Sequence, residues 1–220
     1  MRPLPILLFL TPLIAMYEVG STLYLTDTET GVVRETIRAH ALFARFFELF
    51  GVGGAMLPGV ALVVVLLIWH VMGGFPWRVR PTTLLLMALE AAAWTLPLFV
   101  LGQAAELVAL AAAESEGRPL GGLATIAIGA GLYEELLFRM VAIAAVHFVL
   151  VDLFKMKDSH GQMGAIVVAA IAFAVYHDEW TSNMVFFLAA GLYFGALYVY
   201  RGFGIVVAAH AFYDLIVLTL

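Results

Sequence analysis

The six residues from Glu134 to Arg139 (EELLFR) carry the clearest chemical signal in the sequence. Glu135 and Arg139 are four residues apart with the acid first, which is the favourable order for an ion pair on a helix. Glu134 then points about 100° away around the helix. With Arg139 paired to Glu135, no local cation is left for Glu134. A carboxylate without such a partner suits a general base that takes a proton from water. The same three residues are equally compatible with a polar network that only holds helices together.

Two further pairs share this one-turn spacing. Phe173 and His177 are four residues apart, and so are His210 and Asp214, so the members of each pair lie on one face of a helix. A single histidine in an apolar helix is more often a packed residue than a catalyst. A carboxylate base, two imidazoles and another polar group in three apolar stretches are harder to explain by packing, because together they suffice to activate water and stabilise an oxyanion.

A metal site is the alternative use of the same side chains. Glu134, His177, His210 and Asp214 have the chemistry of zinc ligands, since histidine and carboxylate both bind zinc. The sequence contains no HExxH motif and no cysteine, and nothing in the spacing requires an ion. We expect no metal and no other cofactor, with zinc as the alternative.

The order EExxxR, FxxxH and HxxxD resembles the CAAX-protease and bacteriocin-processing (CPBP, ABI, Rce1-like) family of intramembrane glutamic proteases. The resemblance covers about residues 121–220, and it implies a membrane helix bundle that hydrolyses peptide bonds. It implies that Glu134 and His177 activate the water, whereas His210 and Asp214 form the oxyanion side. It gives supporting positions to three further residues: Glu135, Arg139 and Phe173.

Asp214 departs from the family pattern, because well-studied members have asparagine at this position. An ionised aspartate cannot donate a hydrogen bond to an oxyanion. Asp214 must therefore carry a proton, orient His210 or serve another purpose.

The composition determines which elements position these residues. Of 220 residues, 64% are hydrophobic and 12% are charged, whereas soluble domains are about 45–50% apolar and about a quarter charged. This excludes an ordinary soluble domain and a disordered chain, and the net charge of −5 provides no basic field for nucleic acid. We expect an all-α, polytopic transmembrane helix bundle that forms one integral-membrane domain over residues 1–220.

The apolar runs predict about seven spans, since a span needs about 20 residues. Ala39–Phe50 is amphipathic and is expected to lie along the membrane interface, or to add an eighth span if it crosses. Lys155–Gln162 is expected to be a polar loop, and Gly191 and Gly195 to allow close helix packing. The predicted spans are Pro3–Leu25, Met56–Val71, Thr82–Ala113, Gly121–Phe154, Met163–Tyr176, Asn183–Tyr200 and Phe203–Leu220.

Other ionisable residues are expected to have structural roles. We expect interhelical hydrogen bonds, or places near the interface, for three glutamates: Glu18, Glu90 and Glu106. We expect three histidines to contact water at loops or span ends: His40, His70 and His160. His147 lies about 20 Å along the helix from Glu134 and is left out of the site.

The sequence thus predicts a multi-pass enzyme of a prokaryotic plasma membrane. Its function would be that of an endopeptidase on a membrane-embedded or membrane-delivered peptide, with membrane lipid and a peptide or protein substrate as partners and no nucleic acid. The first alternative is a non-catalytic scaffold or bacteriocin-immunity-type protein of the same fold. The second is a transporter or proton channel, for which repeated halves are expected and none is visible.

Overall fold

The protein was analysed as a computed structural model that describes residues 2–26, 36–54, 56–104, 117–177 and 183–220. All regular elements in these ranges are helices, which confirms the all-α prediction. Five of them are long and apolar enough to cross a membrane: α1, α4, α5, α6 and α7. The helices are α1 (Pro3–Leu25), α2 (Arg38–Glu48), α3 (Leu57–Met72), α4 (Pro81–Ala104), α5 (Leu120–Leu153), α6 (Asp158–His177), α7 (Met184–Arg201) and α8 (Phe203–Thr219).

The seven predicted apolar helices are all found, two of them (α3 and α8) shorter than the others. Prolines stand in the first turn of α1 and α3, where the missing N–H is not needed and the fixed φ favours the helix. A single residue, Gly202, separates α7 from α8. Its φ of 85° is costly for a residue with a side chain, and it allows the chain to reverse within one residue.

The helix that carries His210 and Asp214 lies at the centre of the bundle. Helix α8 packs against α5 and α4, and α6 packs against α7. A Cβ on Gly131 of α5 would lie 2.7 Å from the carbonyl oxygen of Val207, so the backbones of α5 and α8 approach closely at this point. Gly191 likewise allows α7 to pack against Ala170 of α6, as its spacing predicted.

Helix α2 is amphipathic, as predicted, and its buried residues lie in its first turn. Ala39 and His40 are buried, whereas Leu42, Phe46 and Leu49 are exposed. Its 11 residues span about 16 Å, about half of the hydrocarbon thickness of a bilayer. Helix α2 is therefore not among the helices that are long enough to cross a membrane.

Two predictions about polar residues are wrong. Helix α6 begins at Asp158, so the predicted loop Lys155–Gln162 ends early; an acidic residue in the first turn is favourable for the helix dipole. His40 and His70 are buried rather than in contact with water. The His40 ring packs between Tyr17 and Tyr133, and the His70 ring packs against Trp77 at 4.4 Å between centroids. His160 is exposed, as predicted.

Candidate active site

The four predicted catalytic residues line one cavity of about 460 Å³. Glu134 comes from α5, His177 from the end of α6, and His210 and Asp214 from α8. The bundle therefore brings together side chains that are up to 80 residues apart in the sequence. Apolar side chains of α4, α5, α7 and α8 form much of the rest of the wall: Leu98, Ile126, Phe186, Phe187, Val217 and Leu218.

Glu134 lines this cavity and is buried, with 6% of its surface exposed. Its Oε2 lies 3.1 Å from Nε2 of His177, and its Oε1 accepts a hydrogen bond from the hydroxyl of Tyr176 at 3.3 Å. The two carboxylate oxygens thus have different partners. Glu134 and His177 are close enough to share or exchange a proton.

The backbone of its own helix orients His177. Nδ1 lies 3.0 Å from the carbonyl oxygen of Phe173, one turn earlier. Because a carbonyl only accepts, Nδ1 carries the hydrogen, so Nε2 of a neutral ring is an acceptor that can hydrogen-bond to Glu134 once the carboxylate has taken a proton. The imidazole also stacks on Phe187, with centroids 4.6 Å apart and planes 17° apart. Phe173, the first residue of the FxxxH motif, contributes both its carbonyl and its ring, which lies 4.3 Å from the imidazole.

His210 is held between two carboxylates. Its Nδ1 lies 2.8 Å from Oε1 of Glu135, and its Nε2 lies 3.5 Å from Oδ2 of Asp214. The ring stacks on Phe194 at 4.8 Å between centroids. A ring with both N–H protons would donate toward both carboxylates, and Nε2 is the nitrogen on the Asp214 side.

Behind this histidine, Glu135 and Arg139 form the predicted ion pair. Oε2 of Glu135 lies 2.9 Å from Nε of Arg139, and both side chains are almost completely buried. The guanidinium carbon lies 4.5 Å from the ring centre of Phe173 and 5.3 Å from that of Phe194. Cation–π attraction of this kind stabilises a buried cation, so the pair is a sealed part of the core. Helix α5 adopts wider π-helical turns over Leu136–Ala142, directly after the glutamates; such turns are frequent at functional sites.

The donor set does not resemble a prepared metal centre. Both nitrogens of His210 face carboxylates, and Nδ1 of His177 faces a carbonyl. Among the residues that the structure describes, no group of three or more histidine, aspartate and glutamate side chains is arranged to hold an ion. Dialysis against a chelator, followed by addition of zinc, tests the prediction of a site without metal.

Residues 116–216 match the family model described as type II CAAX prenyl endopeptidase Rce1-like. Over these residues, which we call the Rce1-like region, the chain is similar to that family. The Rce1-like region contains all three motifs and begins just before α5. The matched family is one of CAAX-type intramembrane proteases. Neither the curated proteins nor the solved structures gave a match to this chain.

Two of the three glutamates outside the motifs have the interhelical contacts that were expected of them. Glu18 accepts a hydrogen bond from Tyr133 at 3.1 Å, and Glu90 pairs with Arg201 and accepts a hydrogen bond from Trp94. Glu106 lies outside the described residues. His147 pairs with Asp158 at 3.0 Å, in a separate cavity that contains none of the four predicted catalytic residues.

Sequence reasoning missed several residues that contact the site or line its cavity, and Tyr176 and Asn183 are two polar ones among them. Tyr176 donates to Glu134, and Asn183 lines the cavity just before α7 begins. A tyrosine at the end of an apolar run is typical of the membrane interface. Its position directly before His177 was the only local signal of another role.

Proposed function

We propose that this protein is an intramembrane endopeptidase whose Glu134 and His177 activate a water molecule for direct attack on a peptide carbonyl. The observation that supports this most is the 3.1 Å approach of Glu134 Oε2 to His177 Nε2 at the wall of a cavity that also reaches His210 and Asp214. Such a cavity provides a base, a second proton carrier and hydrogen-bond donors around one space, as water-dependent amide hydrolysis requires.

The proposed reaction begins with a water molecule between Glu134 and the scissile carbonyl. The Glu134 carboxylate takes a proton from this water as the new carbon–oxygen bond forms. The carbonyl oxygen becomes an oxyanion, which accepts hydrogen bonds from Nε2–H of His210 and from protonated Asp214. The carbon–nitrogen bond then breaks, and the proton held between Glu134 and His177 passes to the leaving amine. No metal takes part in this sequence.

The apolar cavity wall supports a membrane-embedded or membrane-delivered peptide or protein as the substrate. Leu98, Ile126 and Val217 line the same cavity as the polar residues, so an apolar side chain or lipid group next to the scissile bond would be buried there favourably. We place the enzyme, as a multi-pass protein, in a prokaryotic plasma membrane.

The test is turnover of a peptide library by the purified full-length protein in detergent, with each peptide in unmodified and farnesylated form. Glu134→Gln should lower hydrolysis by about 100- to 10,000-fold, the usual contribution of a general base, and should leave the melting temperature unchanged. Glu18→Gln is the matched control, because Glu18 is a bundle carboxylate outside the cavity; it should retain activity.

Three outcomes would contradict the proposal. Absence of hydrolysis by the wild type would favour a non-catalytic scaffold or immunity-type protein, and proton flux in liposomes would indicate a channel. Loss of activity after dialysis against a chelator, with recovery on addition of zinc, would show that the mechanism uses a metal.

A further inference from the structure

The hydroxyl of Tyr176 connects Glu134 to a helix outside the Rce1-like region. It lies 3.3 Å from Oε1 of Glu134 and 2.9 Å from the backbone nitrogen of Ala39 in α2. Tyr176 stands at an unspecified position of the FxxxH motif, so the motif does not mark it. It nevertheless joins the residue proposed as the base to an element that precedes the matched region by more than 60 residues.

The chemistry of the two partners fixes the direction of both hydrogen bonds. A backbone N–H can only donate, so the Tyr176 oxygen accepts from Ala39. A carboxylate oxygen accepts, so the hydroxyl proton points to Glu134. Oε1 of Glu134 is thereby occupied, and Oε2 is the oxygen directed at His177.

Helix α2 has a physical reason to bind this hydroxyl. The first four N–H groups of a helix have no partner within the helix, and no side chain caps the N-terminus of α2 at Ile37. Ala39 is the second residue of α2, and Tyr176 accepts one of these hydrogen bonds. Arg38 adds a second connection, because its Nη1 donates to the Tyr176 carbonyl at 2.8 Å and its guanidinium lies 4.8 Å above the Tyr176 ring.

We propose that Tyr176 is a positioning residue for Glu134 and that the first turn of α2 holds Tyr176 in place. The proposal rests on the proposed function, since it assigns Glu134 the role of base. Helix α2 is amphipathic, and Phe46 in it and Leu49 directly after it are exposed. The position of this helix is therefore coupled to the geometry of the proposed catalytic carboxylate.

The kinetic test uses Tyr176→Phe, which removes only the hydroxyl. We expect kcat to fall about 10- to 100-fold, the loss expected for one hydrogen bond to a charged group, while KM and the melting temperature stay unchanged. Tyr193→Phe is the matched control, because the Tyr193 hydroxyl donates to the Trp94 carbonyl away from the site. Equal kcat values for the two variants, or a fall in melting temperature that accounts for the loss of activity, would overturn the proposal.

A second measurement does not depend on activity. The infrared difference spectrum between the wild type and Glu134→Gln isolates the carboxyl bands of Glu134. Tyr176→Phe should shift these bands, and Arg38→Ala should shift them less and in the same direction. The controls Tyr193→Phe and Arg45→Ala, the latter about two turns further along α2, should not. If the wild type hydrolyses no peptide but the bands shift, the proposed function fails and the contact stands; if the bands do not move, the positioning role is wrong.

Discussion

Glu134 and Glu135 are neighbours in the sequence, but they lie in opposite kinds of environment. Glu134 faces a cavity, with a histidine on one oxygen and a tyrosine hydroxyl on the other. Glu135 has no exposed surface, and its two oxygens contact Arg139 and His210. One helix thus presents a carboxylate for chemistry on one side and a carboxylate for structure on the other.

The difference shows how a membrane protein can keep a reactive group next to a structural one. The buried cation Arg139 is committed to Glu135 and to two aromatic rings, so it is not the partner of Glu134. Glu134 is therefore left to polar groups that can exchange protons. Glu135 also holds Nδ1 of His210. The structural carboxylate therefore determines where Nε2 of that histidine points.

The largest effect on stability is expected from Glu135→Gln. The variant leaves Arg139 buried without its carboxylate and removes the charged partner of His210, and breaking a fully buried pair costs about 3–5 kcal/mol. Glu134→Gln should unfold like the wild type. Thermal and denaturant unfolding in detergent would measure both, and the double variant Glu135→Gln/Arg139→Met should recover part of the loss. Equal unfolding of the two single variants would mean that the two sides of α5 do not differ in this way.

Gly131→Ala should give an intermediate effect by separating the helices on which the comparison depends. Its Cβ would lie 2.7 Å from the Val207 carbonyl and 2.9 Å from the backbone nitrogen of Ala211. Overpacking of this kind costs about 1–3 kcal/mol, and it moves α8 and His210 away from α5, so activity should fall as well. Gly122→Ala is the control in the same helix, because its Cβ would have ordinary contacts of 3.5 Å or more. A Gly131→Ala variant that is as stable and active as Gly122→Ala would contradict the close approach.

The smallest effect is expected from Asp214→Asn. Glu135 holds His210 at 2.8 Å whereas Asp214 lies at 3.5 Å, so Glu135 is the closer orienting partner and Asp214 is available as an oxyanion donor. Aspartate donates only when protonated and loses this role as the pH rises, whereas asparagine donates at any pH. Asp214→Asn should therefore keep its activity and extend it to higher pH. A pH–rate profile that falls at every pH, with the fold intact, would show that Asp214 orients His210 instead.

Local patterns were sufficient for much of the fold and for selecting four side chains that line one cavity. Apolar runs predict each of the seven apolar helices, and one-turn spacing predicts the contact between Glu135 and Arg139, because both depend only on helix geometry. The start of α6 was missed because Asp158 and the polar residues after it have the composition of a loop. Their value as the first turn of a helix depends on the residues that follow.

Contacts between helices could not be read in this way. The contact of Glu135 with His210 joins residues 75 positions apart, and that of Ala39 with Tyr176 joins residues 137 positions apart. The burial of His40 likewise depends on Tyr133 of α5, an aromatic neighbour that the packing supplies. None of these partners stands one turn away, so the spacing of residues contains no signal of them.

The central claim is that Glu134 takes a proton from a water molecule while that water attacks the peptide carbonyl directly. It can be tested by single turnover in H₂¹⁸O, with the enzyme in excess over a peptide that the wild type cleaves and with mass spectrometry of the products. The account predicts that every newly formed carboxyl group carries one ¹⁸O from the first turnover, with no label in the enzyme. Unlabelled product in the first turnover, with ¹⁸O in the carboxyl group of Glu134, would show that Glu134 attacks the substrate itself and would contradict the account.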